Sequence, residues 1–235
     1  MILYDEKFLV DGKPDPKIWT YQVGTKWANN ESQCYVEDIN QAYVSNQSLK
    51  IKATLNDSDE CRYVSARLSS KGKLEFMYGK LTIRAKMPKG RGAWPALWLM
   101  GNTSSNQVGW PLCGEIDLVE FAGNRPGIVT SAIHTKSFNH TINTDKGAKI
   151  ELSDASDAFH DYELDWTKDY LKFSCDGKEY FRVTKEANDT VNEWPFDHPY
   201  YLIMNLAVGG WYGGEIHDED LPYVMEIKSI KIEQK

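Results

Sequence analysis

Gly79-Lys80-Leu81-Thr82-Ile83-Arg84-Ala85-Lys86-Met87 alternates without a fault: Leu81, Ile83, Ala85 and Met87 take one side, Lys80, Thr82, Arg84 and Lys86 the other. Side chains two apart on an extended chain share a face, so this stretch reads as a strand with one face buried and one wet. Leu49-Lys50-Ile51-Lys52-Ala53-Thr54-Leu55 repeats the pattern, and half-buried strands of this kind belong to antiparallel sheets. Tyr170–Cys175 and Lys178–Thr184 flank Asp176-Gly177, a two-residue loop suited to a type I′ hairpin. Longer apolar runs at Ala93–Met100, Ile128–Thr135 and Tyr200–Val208 predict interior strands covered on both faces. Sustained helical periodicity is nearly absent. Many short strands with turn signals between them imply two stacked antiparallel sheets, an all-β sandwich.

No linker, low-complexity tract or internal repeat interrupts the 235 residues, so a single domain over 1–235 is expected. A chain this long buries a large core without metal or disulfide staples, and 41% hydrophobic with 26% charged residues is a globular composition. The net charge is −7 with scattered basic residues, which argues against nucleic acid, anionic membrane or sulfated polysaccharide as partner. No apolar run approaches a membrane span. The N-terminus, Met1-Ile2-Leu3-Tyr4-Asp5-Glu6-Lys7, lacks the apolar core of a signal peptide, as in a cytosolic protein or a mature form with a new initiator Met. Cys34, Cys61, Cys113 and Cys175 are widely and irregularly spaced, with no CxxC pair, and are expected as buried free thiols. There is no HExxH, P-loop or GxSxG elbow, and the histidines show no metal-ligand spacing. Gly209-Gly210-Trp211-Tyr212-Gly213-Gly214 fits no phosphate-binding pattern and reads as a cleft-edge loop.

The chemistry is concentrated in Gly114-Glu115-Ile116-Asp117-Leu118-Val119-Glu120. Extended geometry points Glu115 and Asp117 one way and Ile116 and Leu118 the other, into a core. Glu120 has the wrong parity for the acidic face, and a β-bulge around Leu118-Val119 would restore it. Crowding three carboxylates on one face is costly, because like charges repel and burial disfavours the anion. Trp94, Ala96 and Trp98 in Trp94-Pro95-Ala96-Leu97-Trp98-Leu99-Met100 share a face and form an aromatic floor with a gap. Sugars pack flat C–H faces on indole rings and need convergent polar groups for their hydroxyls. Acid and floor together point to glycosidic bond cleavage, in which one carboxyl protonates the leaving oxygen and another meets the anomeric carbon.

The sequence resembles family 16 glycoside hydrolases, in their laminarinase-like branch. Glu115-Ile116-Asp117-Leu118-Val119-Glu120 matches the bulged E-[I/L]-D-x-x-E motif of that branch, where lichenases and xyloglucan transglycosylases have E-I-D-x-E. Trp27-Ala28-Asn29-Asn30-Glu31-Ser32-Gln33 is similar to its W-G-N-N-E-x-Q segment, with Ala28 for Gly. Ser65-Ala66-Arg67, Tyr78-Gly79-Lys80, Phe159-His160-Asp161-Tyr162-Glu163-Leu164-Asp165-Trp166 and Asn205-Leu206-Ala207-Val208-Gly209-Gly210 also fit. The resemblance implies a concanavalin A-like β-jelly-roll of two curved sheets with an open concave cleft. It implies Glu115 as nucleophile, Asp117 as its assistant and Glu120 as acid/base, with no catalytic cofactor. Trp94, Trp98 and Trp110 would line the donor side, Asn29, Arg67 and Asn205 would bind sugar hydroxyls, and His134 would sit beside Glu120. Phe138-Asn139-His140-Thr141-Ile142-Asn143 would form a cleft wall.

The implied activity is retaining endo-hydrolysis of β-1,3-glucosidic bonds in a neutral laminarin-type glucan, with mixed-linkage β-1,3/1,4-glucan as a further substrate. A non-catalytic β-glucan-binding lectin, a mixed-linkage-specific lichenase and a transglycosylase are the rivals. A monomer acting outside the cell or in the periplasm is expected from the family. Relatives bind a structural Ca²⁺, and the matching positions here are Glu6, Gln47 and Glu226. Glu226 stands where Asp is usual, and the extra methylene burdens a ligand that must reach the ion within about 2.3–2.6 Å.

Overall fold

The computed structural model describes residues 1–102 and 108–234. Two sheets face each other over one core. The first runs Lys146–Glu151, Ile128–His134, Glu115–Phe121, Ala93–Gly101, Tyr200–Val208, Arg67–Ser69 and Thr20–Tyr21, with Glu75–Phe76 beside the start of Tyr200–Val208. The second runs Lys178–Thr184, Tyr170–Cys175, His160–Trp166, Gly79–Lys86, Tyr223–Glu233, Ser48–Leu55, Tyr63–Ser65 and Gln33–Tyr35. Ile2–Glu6 and Ala42–Ser45 pair with its middle strands. Among the described residues every strand pairing is antiparallel except that of Gln33–Tyr35 with Tyr63–Ser65. This is the two-sheet sandwich that the alternating patterns predict, in the β-jelly-roll form that the family resemblance implies.

The period-two stretches act as expected. Leu81, Ile83 and Ala85 enter the core while their neighbours along Gly79–Lys86 stay part-exposed. Each fully buried Leu or Ile contributes about 1.5–3 kcal/mol relative to an exposed one. Tyr200–Val208 is buried along its whole length for two different reasons. Leu202, Met204 and Leu206 pack into the sandwich, whereas Asn205 and Ala207 point outward and floor a cleft. The hairpin between Tyr170–Cys175 and Lys178–Thr184 turns on Asp176 (φ 49°) and Gly177 (φ 77°), the two positive φ angles of a type I′ turn. Gly114 precedes the acidic strand at φ 78°, and a Cβ there would collide with Tyr200 Oη.

The cysteines depart from the expectation of four free thiols. Cys34 and Cys61 form a disulfide, with Cα atoms 5.5 Å apart and a sequence separation of 27. Cys34 lies in the parallel pairing with Tyr63–Ser65, two residues beyond Cys61. That contact joins segments distant in sequence, so spacing alone did not reveal it. Cys113 and Cys175 are free and buried.

Candidate active site

Glu115–Phe121 is held between two strands, and their registers locate the bulge. Against Ile128–His134, Glu115 faces His134, Asp117 faces Ala132 and Glu120 faces Thr130, so Leu118 and Val119 together span the place of Ser131. Against Ala93–Gly101 the shift falls between Leu97 and Trp98. Ser131 Oγ donates to the Leu118 carbonyl at 2.6 Å, anchoring the extra residue. Leu118 and Val119 both enter the core. Burying two consecutive apolar side chains is what turns Glu120 back to the side of Glu115 and Asp117, and all three carboxylates line one cleft.

The cleft crosses the strands. Its lining passes from Arg67 and Asn205 through Ala96, Trp98 and the carboxylates to Ala132 and Gly147, following the order of the sheet. The Arg67 guanidinium lies 4.9 Å from the rings of both Trp27 and Trp98, a cation stacked between two π faces, and its Nε donates to Gln22 Oε1. Trp98 Nε1 donates to Asn205 Oδ1 at 2.7 Å, and Asn205 Nδ2 donates to Tyr35 Oη. Asn29 (φ 64°) and Trp110 join the same side. Asn29, Arg67, Trp94, Trp98, Trp110 and Asn205 therefore line one cleft.

His134 differs in its neighbours. The cross-strand register sets it opposite Glu115, and its Nε2 lies 3.2 Å from Asp117 Oδ2 and 3.9 Å from Glu115 Oε1. Its Nε2 is nearest the Glu115–Asp117 pair, and it also lines the cleft with Glu120 and draws that carboxyl down. The partner of Glu120 is Trp94, whose Nε1 donates to Oε1 at 3.1 Å. Lining residues that sequence reasoning did not single out include Glu31, Met100, His140, Trp211 and Tyr212. The last two come from the Gly-rich segment expected at the cleft edge, and His140 from the expected wall.

Desolvation governs the electrostatics. Burial pushes Glu120 up to about 8, the charge on Asp117 pushes the same way, and the Trp94 N–H pulls back. Burial lifts Asp117 to about 8, against a hydrogen bond with Glu115. Glu115 is raised by burial and Asp117, while His134 and Arg67 draw it down. Groups coupled this closely titrate as a unit, so burial lifts the Glu115–Asp117 pair together above the usual carboxylate range. Glu115 has the more exposed side chain, 15% against 6%, and is the one that can present the charge to the cleft. Asp117 Oδ2 and His134 Nδ1 are buried without a hydrogen-bond partner, the kind of cost that concentrates at functional sites.

The residues proposed for Ca²⁺ do not fit it. Glu226 meets Lys86 Nζ at 2.7 Å and Lys50 Nζ at 3.6 Å, and accepts from Ser48 Oγ. Lys50 Nζ also donates to the Ser45 carbonyl at 2.6 Å. Glu6 turns back onto the amides of Lys7 and Phe8. Gln47 sits in the left-handed turn at φ 57° between the strands Ala42–Ser45 and Ser48–Leu55. Two ammonium groups already neutralise Glu226, and a dication beside them would be repelled.

Comparison with known proteins agrees with this geometry. The model of Glycosyl hydrolases family 16 matches residues 23–224. A beta-glucanase of Rhodothermus marinus is 35% identical over 240 residues, covering 98% of this chain and 84% of that protein. The X-ray structure of the laminarinase from Rhodothermus marinus superposes with a TM-score of 0.96 at 35% identity, covering 99% of this chain and 96% of that one. A mutant of SCLam, a non-specific endo-β-1,3(4)-glucanase co-crystallised with 1,3-β-D-cellotriosyl-glucose, superposes at 0.94 and 35% identity over 100% of this chain and 95% of its own. With the family match covering most of its length and the same fold throughout, the chain belongs to glycosyl hydrolase family 16.

Proposed function

We propose that the chain is a retaining endo-β-1,3-glucanase that also cuts mixed-linkage β-1,3/1,4-glucan. The observation that carries the chemistry is the bulge, which brings Glu115, Asp117 and Glu120 onto one face beside Trp94. Glu120, protonated up to about 8, gives its proton to the glycosidic oxygen as Glu115 attacks the anomeric carbon and the C–O bond breaks. Formation of the glycosyl ester removes the negative charge of Glu115, so Glu120 ionises more readily and takes a proton from the incoming water. Water then displaces Glu115, and two inversions give net retention. Asp117 hydrogen-bonds Glu115 and orients it.

The substrate class rests on the aromatic floor and on the likeness to SCLam, whose structure holds a glucan oligosaccharide. A neutral polymer suits a chain of net charge −7, and the Cys34–Cys61 disulfide supports an oxidising compartment, extracellular or periplasmic. Glu115→Gln is expected to cut reducing-sugar release from laminarin by roughly 10³-fold or more. Unchanged release would remove Glu115 from the mechanism, and wild-type binding of laminarin without shortening it would make the protein a lectin.

A further inference from the structure

The two walls of the cleft rise from opposite ends of the strands. Met100, Glu115 and His134 lie together at one end, and the connections leaving that end carry Trp110 and His140. Ala93 and Val208 pair at the other end, from which the turn Gly210–Gly213 carries Trp211. Yet the His140 ring reaches across to that far wall. Its centroid lies 5.3 Å from Trp110, 5.1 Å from His134 and 5.9 Å from Trp211. Trp211 in turn packs at 5.7 Å on Trp94, the partner of Glu120. His140 lines both halves of the cleft, where they meet at the carboxylates.

Its loop is braced. Asn139, 2% exposed, donates through Nδ2 to the carbonyls of Thr135 and Lys136, and its Oδ1 accepts from the amide and hydroxyl of Thr141. Thr144 Oγ1 donates to the Ser137 carbonyl, and Lys146 Nζ lies 3.8 Å above the Phe138 ring. Among the described residues neither ring nitrogen of His140 meets a hydrogen-bond partner, so both remain available to a hydroxyl.

We propose that His140 and Trp211 form a bridge over the cleft on the His134 side of the scissile bond, so that the leaving-group sugar lies beneath it and carries no side branch. A glucan crossing the strands has the carboxylates below and the His140–Trp211 contact above. The contact is a single ring pair, which can part to admit an internal stretch of polymer and close again, as endo cleavage requires. The braced backbone confines that opening to the two side chains. A 6-O-glucosyl substituent on the unit beneath would keep the rings apart. This inference rests on the glucanase reading and deepens it.

The test compares kcat/KM on a linear β-1,3-glucan and on a β-1,3-glucan carrying single β-1,6-glucosyl side chains. A ring pair of this kind corresponds to roughly a two- to tenfold discrimination. His140→Ala is expected to raise the branched-to-linear ratio by that factor, and His140→Phe, which keeps a ring, to hold it near wild type. A ratio unmoved by His140→Ala, or raised equally by His140→Phe, overturns the bridge. A second measurement needs no variant. When wild type digests the branched glucan, the newly freed non-reducing terminal unit of each fragment is expected to be unbranched, and fragments branched at that unit would overturn the proposal. Failure to cut the linear glucan at all would instead defeat the glucanase reading.

Discussion

Replacing Trp94 by Phe isolates one hydrogen bond at the acid. The indole Nε1 donates to Glu120 Oε1 at 3.1 Å and opposes the burial and the Asp117 charge that lift this carboxyl to about 8. Phenylalanine keeps a ring in the floor and loses the N–H. The donor stabilises the anion more than the protonated acid, so its loss lets Glu120 hold its proton to higher pH. A hydrogen bond to a charged group is worth roughly 1.5–3 kcal/mol, and about 1.4 kcal/mol moves a titration by one pH unit. The other polar neighbours absorb part of that, leaving an expected displacement of about one unit. The assay is kcat/KM on laminarin against pH, whose alkaline limb reports the acid of the free enzyme. That limb is expected to move up from near pH 8 by about one unit. Trp94 is also part of the sugar floor, so the absolute rate falls, but the position of the limb is independent of that loss. A limb that stays in place, or moves toward acid, would refute the assignment of Glu120 as the acid held by Trp94.

Glu120→Gln tests the same burial through stability. A carboxyl raised from 4.5 to about 8 on folding contributes stability that is complete below its ordinary titration and lost as the pH rises toward 8. The amide abolishes that loss, so the Tm gain over wild type should be larger at pH 8 than at pH 5; equal gains would mean that Glu120 is not raised. The Cys34–Cys61 disulfide closes a loop with a sequence separation of 27, worth about 3–4 kcal/mol in the chain-entropy account. Reduction should therefore lower Tm by roughly 6–16 °C, and a Tm insensitive to reductant, with both thiols shown free by titration, would contradict that figure.

Local alternation made the sheet-forming stretches readable, because a strand buried on one face repeats every two residues whatever its partner. Gly79–Lys86 is such a case, whereas the hairpin of Tyr170–Cys175 and Lys178–Thr184 was legible from its Asp176-Gly177 turn. Contacts between distant segments were not readable. The parallel pairing that brings Cys34 to Cys61 leaves no local trace, and neither does the lysine pair that neutralises Glu226. His134 shows the same division. Its strand was evident, but its approach to Glu115 and Asp117 depends on a cross-strand register that only the folded sheet defines.

The acidic strand lies between these extremes, because its irregularity was itself the signal. A regular strand would have sent Glu120 into the core with Ile116, where a lone carboxylate is far more costly than at a cleft. Three acids in Glu115–Glu120 are thus compatible with a folded sandwich only if one residue is absorbed, and Leu118-Val119 offers two apolar side chains for the core to take. The bulge satisfies the hydrophobic demand of one face and the catalytic demand of the other. Trp94 then meets Glu120 because Ala96 is paired across from it, two residues along the same face. Inserting one residue after Val119 would put these demands in conflict: a regular strand would then turn Val119 into the cleft and carry Glu120 one residue further from Trp94. The chemistry therefore depends on a defect in the strand that the packing of the core enforces.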